Sequence, residues 1–486
     1  MSAGTMEKKK VHFETLGCKL NQVESEGAAR AFTDAGFSVS MEPMTASSPA
    51  DGDVVACVVN TCTVTAKAEQ KARRIIRLLL AKCPRAVVIV TGCYAQLDGN
   101  DIRAIDPRVA VLGGQTKSAL ADVPSLIGGT ALSGAELRSS LQAFFDKKQG
   151  ASGEIVEPFR LSTDTFINHS RSSLKIQDGC NCVCTYCRIR LARGKSVSLD
   201  ANTVIDRIRA LEEAGQGEVV VTTVNISQYR GRYADKDGNE TFVGFAGLLR
   251  LMLENTSRIG IRISSLYPEI VDEELSSLVA HPRVRPHFHI SVQSGSDSVL
   301  ARMKRPYRID AVYRAVRLLR EAKGNPFLAC DIIGGFPGES DEDFALTMKM
   351  LRECGFTFVH AFPFSARPGT EAFSMRPMVP NYVTDGRIKQ LEEFSRESKG
   401  KYIEGFVGAV LPAVCETVHR RRIMMEKVVV HAVTENFLHC QLVFSPGDDG
   451  IPSPGKQVMV RVVRPLGEHE RTGESDTLAV LAEAGV

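Results

Sequence analysis

Gly179-Cys180-Asn181-Cys182-Val183-Cys184-Thr185-Tyr186-Cys187 is the stretch on which the reading of the fold turns. Within it, Cys180, Cys184 and Cys187 have the spacing C-x3-C-x2-C, in a loop that follows a strand-like run from Ser173 to Gln177. A loop this compact can wrap three corners of a 4Fe-4S cluster, whereas the usual complement is four thiolates, so one iron stays open to another ligand. At the chain's cysteine frequency this spacing arises by chance about 0.01 times. Buried or zinc-bound cysteines fit less well, because zinc sites favour paired CxxC elements and a fourth ligand. Cys182 has the wrong spacing for the signature and reads as a bystander, able to misligate iron under oxidation.

Working outward, the stretch lies near the start of a long alternation of strands and helices. Strands are predicted at Ser173 to Gln177, Glu218 to Thr223, Ile259 to Ser264, Phe288 to Val292, Phe327 to Ile333 and Thr357 to Phe362. Helices are predicted between them, at Asn202 to Ala214, Gly247 to Glu254, Asp272 to Val279, Ile309 to Ala322 and Glu342 to Glu353. Six such units are too few for a closed eight-unit barrel and suit an open, partial one. Upstream, a second alternation places strands at Val11 to Leu16, Val54 to Asn60 and Val87 to Val90, with helices at Glu24 to Ala35 and Ala66 to Leu80. Such alternation implies a parallel sheet whose strands end at one edge. A cysteine follows each of these strands, Cys18, Cys62 and Cys93, so three thiols from distant sequence are expected at one rim. Downstream, Val407 to Val463 reads as short strands and a small antiparallel barrel.

The fold class is therefore α/β: an N-terminal open parallel α/β sheet domain at 9–127, a linker with one short helix at 128–160, a central partial (β/α)6 barrel at 166–396 and a small C-terminal antiparallel β-barrel at 399–467. Sixty basic against 57 acidic residues leave a formal charge of +3 over 486 residues, which excludes a polycation that holds nucleic acid by bulk charge. Any RNA site must be a local patch. The clearest is His419-Arg420-Arg421-Arg422, either a solvated face or a phosphate-binding patch on the small barrel. Thirteen cysteines, an odd number, in a large chain with no export signal argue for metal or redox thiolates rather than disulfides. No run reaches the length of a membrane span, and the chain is expected to be soluble and cytoplasmic.

Taken together, Thr15-Leu16-Gly17-Cys18-Lys19-Leu20-Asn21-Gln22, Asn60-Thr61-Cys62, Thr91-Gly92-Cys93-Tyr94-Ala95-Gln96, Asp178-Gly179-Cys180, Ala192-Arg193-Gly194, Gln293-Ser294-Gly295-Ser296 and Gly335-Phe336-Pro337-Gly338-Glu339 occur in the order found in methylthiotransferases of the radical S-adenosylmethionine superfamily. The sequence resembles that family over almost its whole length. The resemblance implies a methylthiotransferase domain, a radical barrel and a C-terminal TRAM domain. It implies two 4Fe-4S clusters, one on Cys18, Cys62 and Cys93 and one on Cys180, Cys184 and Cys187, with S-adenosylmethionine chelated by the open iron of the second. Asn225, Gln293, Gly334 and Gly335 are the implied cofactor contacts, and Arg420, Arg421 and Arg422 the candidate RNA contacts. The implied reaction converts an adenosine C–H to C–S–CH3 on tRNA, with a low-potential electron donor, flavodoxin or ferredoxin, as partner and no membrane.

Leu16-Gly17-Cys18-Lys19 and Cys93-Tyr94-Ala95-Gln96 look like the branch acting on threonylcarbamoyladenosine beside the anticodon. The branches acting on isopentenyladenosine tRNA or on a ribosomal protein differ at the first motif and are the alternatives. A non-catalytic iron-sulfur RNA-binding or redox-sensing protein is the distant one, since a sensor needs no second cluster. The chain departs from the family at Arg188-Ile189-Arg190-Leu191, where relatives usually have Ile-Ile-Pro-Tyr, which puts two extra charges next to the expected cluster. It departs also at Thr222-Thr223-Val224-Asn225, where Thr-Gly-Val-Asn is common, and at Ser291-Val292, where Leu-Pro is usual. Asp341, Glu342 and Asp343 precede a helix and read as complements to its dipole rather than as catalysts.

Overall fold

The computed structural model of the chain describes residues 9–148, 154–162, 172–423, 425–445, 448, 450–467 and 479–484. They fall into two compact units: one holds the described residues up to 162 with Lys175–Leu199 and Arg367–Thr370, and the other holds the rest.

In the first unit, β1 (Lys10–Thr15), β2 (Ser38–Ser40), β3 (Val54–Thr61), β4 (Val87–Gly92) and β5 (Val109–Val111) form a sheet in the order β2-β1-β3-β4-β5. All its pairings are parallel, as the alternation of strands and helices requires. Both faces are covered, which is why β4 is apolar along most of its length and wholly buried. Val87 and Ile89 pack with Phe32, Leu137, Leu141 and Phe145 on one side, and Val88 and Val90 with Ile76 and Leu79 on the other. The one helix expected within 128–160 is Gly134–Lys147, and its Leu137, Leu141 and Phe145, four residues apart, give it a buried face in that core. The strand order reverses between β1 and β3, and at such a reversal the loops after the strand ends part and leave a crevice. Cys18 and Cys62 follow those two strands.

The helix predicted from Glu24 begins a turn earlier, at Lys19, with Cys18 as its N-cap, and runs to Asp34. The helix after β3, Ala66–Lys82, starts where Thr65 accepts a hydrogen bond from the Ala68 amide.

The remaining elements are β6 (Ser172–Lys175), an antiparallel pair β7 (Gln177–Asp178) and β8 (Val197–Ser198) in the first unit, then β9 (Glu218–Thr222), a hairpin β10 (Gly231–Ala234) and β11 (Glu240–Val243), β12 (Gly260–Ile263), β13 (Ser265–Leu266), β14 (His287–Gln293), β15 (Phe327–Gly334) and β16 (Phe358–Pro363). They pair in the orders β6-β9-β12 and β13-β14-β15-β16. Only Ser264 separates β12 from β13, so six strand positions follow one another in chain order, with helices between them. That is the open six-unit barrel expected. The helix Asn381–Glu404 was not expected; its buried stripe runs from Thr384 to Ile403 but includes Arg387, Ser395 and Lys399, so it gave no apolar period in the sequence.

β17 (Val410–Ile423), β18 (Met425–Thr434), β19 (His439–Phe444), β20 (Gln457–Pro465) and β21 (Ala479–Ala484) close a barrel in the order β17-β18-β19-β21-β20. One pair, β19 with β21, is parallel and the others are antiparallel. β21 lies beyond residue 467, so the strand that completes the closure is outside the range read from sequence.

The small barrel covers the amino-terminal end of the open one through a buried ionic and aromatic contact. Glu218, at the start of β9, accepts from Arg262 Nε (2.7 Å) and Nη2 (2.9 Å) and from Arg285 Nε (3.1 Å). Arg262 Nη2 also donates to the Thr434 carbonyl at 3.2 Å, and the Phe437 ring lies tilted 4.0 Å from His287 and meets Phe327 edge-on at 5.8 Å. Glu218 is 2 % exposed, so its removal leaves two guanidinium groups without their buried anion. Glu218→Gln is expected to destabilise the cofactor-free protein by about 3 to 5 kcal/mol, read as a fall in the denaturant midpoint; an unchanged midpoint contradicts the role given to this contact.

Candidate iron-sulfur site

Cys18, Cys62 and Cys93 follow β1, β3 and β4 at the carboxyl edge of the parallel sheet, the rim on which the sequence placed them. Close approach depends on glycine. Gly17 has φ +103°, and a Cβ there would stand 2.6 Å from Cys62 Cβ and 3.0 Å from its Sγ. Gly92, at φ +98°, lies against the Thr61 backbone and sets the turn that begins a helix at Cys93. Burial pushes the Cys62 thiol up to about 11, with Cys93 and Cys18 adding to the rise. Burial also raises Cys93, against the pull of Arg193 and Lys117. Such thiols are inert when free, yet a coordinating metal deprotonates them outright. Three cysteines at one sheet edge, close enough to act on one another electrostatically and with cations acting on them, fit a cluster whose thiolates need countercharge.

Cys180, Cys184 and Cys187 occupy the loop between β7 and β8, in the same unit. The Cys180 amide donates to the Gly194 carbonyl at 3.1 Å, and the Cys187 amide to that of Cys184 at 3.1 Å. Amides also point at sulfur: Cys182 N to Cys180 Sγ and Ile189 N to Cys187 Sγ, each 3.4 Å. Donors aimed at sulfur favour the thiolate and tune a bound cluster. Cys182 lies between Cys180 and Cys184, whose hydrogen bonds with its thiol raise its pKa strongly. Among the described residues no three His, Cys, Asp or Glu side chains converge as ligands of one metal ion. Thiolates on separate irons of a cluster do not have to. All thirteen cysteines are without disulfides.

A buried ionic network joins these loops. The Glu24 carboxylate accepts from Lys117 Nζ (2.5 Å), Lys175 Nζ (2.8 Å) and Arg193 Nη1 (3.0 Å). Arg193 is held also by Asp178 (2.9 Å) and by Asn21 Oδ1 (2.7 Å). Three cations against two carboxylates leave an excess positive charge, and Arg193 and Lys117 act electrostatically on Cys93. Arg193 is in a motif the sequence singled out, but Glu24, Lys117 and Lys175 were missed, because a charge in sequence does not reveal its partner 93 or 151 residues away.

The other expected residues lie in the second unit. Asn225 follows β9 and its side-chain oxygen accepts from Ser227 N (3.0 Å) and Oγ (2.7 Å). Gln293 ends β14 with φ +69°, and Gly334 ends β15. All three stand at or just beyond the carboxyl ends of the open barrel's strands. At Gly335, φ +78°, the space of a side chain is filled by Thr384 of the helix Asn381–Glu404. Asp343 forms a capping box with Ser340, as its reading as a dipole complement anticipated. Arg420, Arg421 and Arg422 lie in β17 opposite Val428, Lys427 and Glu426, and their side chains are outside the described residues. One cluster was not foreseen: His289 Nε2 lies 2.9 Å from Asp331 Oδ1, and its ring 5.0 Å from that of His360, which burial depresses to about 4. Each stands on a different one of three adjacent strands, so only the strand pairing brings them together.

Burial alone would raise the Glu24 carboxyl, but Arg193, Lys117 and Lys175 hold it well below its ordinary 4.5. A depressed carboxyl contributes stability above its unfolded pKa and loses it as pH falls toward the folded value. The cofactor-free protein is therefore expected to lose denaturant resistance from about pH 5 downward, and Glu24→Gln to lower stability at neutral pH and flatten that slope. Identical pH profiles contradict this.

Residues 174–351 match the Radical SAM superfamily, and residues 10–114 match a family described as Uncharacterized protein family UPF0004. The threonylcarbamoyladenosine tRNA methylthiotransferase MtaB of Treponema pallidum is 42% identical over 93% of this chain and 98% of its own. Its namesake from Thermotoga maritima is 34% identical over 82% of this chain and 85% of its own. The tRNA-2-methylthio-N(6)-dimethylallyladenosine synthase of Ralstonia pickettii is 31% identical over 88% and 89%. With 42% identity to such a methylthiotransferase over 93% of its length and a Radical SAM match at 174–351, the chain belongs to the radical S-adenosylmethionine methylthiotransferase family.

Proposed function

We propose that this protein is a tRNA methylthiotransferase that replaces an adenosine C–H by C–S–CH3 on threonylcarbamoyladenosine. The observation that carries the reading is the gathering of Cys18, Cys62 and Cys93 in one compact unit with the Cys180–Cys187 loop. Sequence identity of 42% to the Treponema pallidum enzyme supports the choice of threonylcarbamoyladenosine. The reacting carbon has no acidic proton and no leaving group, so side-chain acid–base chemistry cannot convert it; S-adenosylmethionine and two 4Fe-4S clusters supply the one-electron and sulfur chemistry.

The chain's own residues hold and surround those groups. Cys180, Cys184 and Cys187 would hold one cluster, with the amides of Cys182 and Ile189 directed at its sulfurs. Cys18, Cys62 and Cys93 would hold the other, facing the positive excess around Arg193 and Lys117. Asn225, Gln293, Gly334 and Gly335, at the strand ends of the open barrel, are the proposed contacts for S-adenosylmethionine. A flavodoxin or ferredoxin is the proposed electron donor, and the cytoplasm the proposed compartment. No helix among the described residues is long and apolar enough to cross a membrane.

The test of substrate is mass spectrometry of tRNA nucleosides from a deletion strain, with and without the gene restored. Loss and return of the methylthio group on threonylcarbamoyladenosine is expected; loss on isopentenyladenosine, or on neither, overturns the assignment. In vitro, alanine at Cys180, Cys184 and Cys187 is expected to abolish deoxyadenosine formation, whereas alanine at Cys18, Cys62 and Cys93 leaves it and abolishes methylthiolation. Undiminished methylthiolation by the second variant contradicts its role. Alanine at Arg420, Arg421 and Arg422 is expected to weaken tRNA binding and to reduce the slope of log affinity against log salt by about 3; unchanged affinity at every salt concentration returns the run to a solvated face.

A further inference from the structure

Arg188 stands immediately after Cys187, where a charge next to a cluster was unexpected. Its side chain is buried and directed at the other cysteine segments of the same unit. Nη1 lies 3.2 Å from both Thr63 Oγ1 and Glu69 Oε1, and Nη2 3.4 Å from Asp98 Oδ2. Thr63 is the residue after Cys62. Asp98 caps the end of the short helix that begins at Cys93. Glu69, in the first turn of the helix Ala66–Lys82, also accepts from Thr63 Oγ1 at 2.5 Å and from Arg367. Arg190, two residues on, is exposed, and among the described residues the second extra charge makes no comparable contact.

These side-chain contacts tie the residue after Cys187 to the residue after Cys62 and to the C-cap of the short helix that begins at Cys93. A guanidinium suits this task, because its rigid fork reaches two acceptors at once. We propose that Arg188 is a positioning residue that registers the Cys180–Cys187 loop against the Cys62 and Cys93 segments, so that S-adenosylmethionine cleavage is coupled to sulfur insertion. The inference rests on the function proposed above. Arg188 needs no contact with either cluster to act; it fixes where Cys187 stands relative to the other triad. Since Arg367 remains on Glu69, removing Arg188 does not leave that buried carboxylate alone, and the fold is expected to survive.

The test compares Arg188→Gln, Arg188→Lys and Arg190→Gln with the parent protein, all reconstituted with iron and sulfide. Arg188→Gln is expected to keep both clusters and to cleave S-adenosylmethionine within about two-fold of the parent, while the ratio of deoxyadenosine to methylthiolated adenosine rises about ten-fold or more, as small misplacements of reacting groups do. Arg188→Lys should recover part of the coupling, and Arg190→Gln all of it. A second readout needs no cofactor: in the iron-free protein, amide hydrogen exchange over 184–192 should quicken in Arg188→Gln and not in Arg190→Gln. An unchanged product ratio or exchange rate, equal loss of both products, or loss of a cluster in Arg188→Gln overturns the proposal. If the parent protein itself makes deoxyadenosine but methylthiolates no tRNA, the functional reading fails instead.

Discussion

Glu24 is the buried anion around which the cysteine-bearing unit is arranged. Its carboxylate takes Lys117, Lys175 and Arg193 at once, and Arg193 shares Asp178 from the strand that leads into the cysteine loop. Ion pairs this deep contribute little net stability beside a packed apolar core, because desolvation of each charge offsets most of the attraction. What they impose is specificity. A misplaced loop leaves an uncompensated charge in the interior, so only one arrangement of residues 175–199 on the sheet edge satisfies every partner.

The same network sets the field at the thiols. With one positive charge in excess, it favours an anionic group beside Cys93 and Cys62, where burial alone disfavours thiolates. A cluster with three thiolate ligands is such a group. The open barrel presents Asn225, Gln293 and Gly334 at the carboxyl ends of its strands, while Glu218, Arg262 and Phe437 fasten the small barrel to the opposite ends.

The order of strands and helices was legible because both sheets are built from short apolar runs separated by amphipathic helices, and the rim of Cys18, Cys62 and Cys93 follows from parallel topology alone. The ranges were less so. β21 has no local mark as a barrel strand, since it is defined by pairing with β19 some 40 residues earlier. The helix Asn381–Glu404 has few apolar positions and gave no period. The ionic partners were the least legible part. Glu24 reads as one more surface acid in an amphipathic helix, and Arg188 showed only as a departure from a pattern, until the fold put Thr63, Glu69 and Asp98 within its reach.

The central claim is that two separate triads of cysteines each hold a cluster in one unit. Chemical iron analysis with Mössbauer spectroscopy on anaerobically reconstituted protein tests it most directly. About eight irons per chain, all in 4Fe-4S clusters, are expected for the parent protein, and about four for the variant lacking either triad. About four irons in the parent, or loss of all iron when only Cys18, Cys62 and Cys93 are replaced, would contradict it.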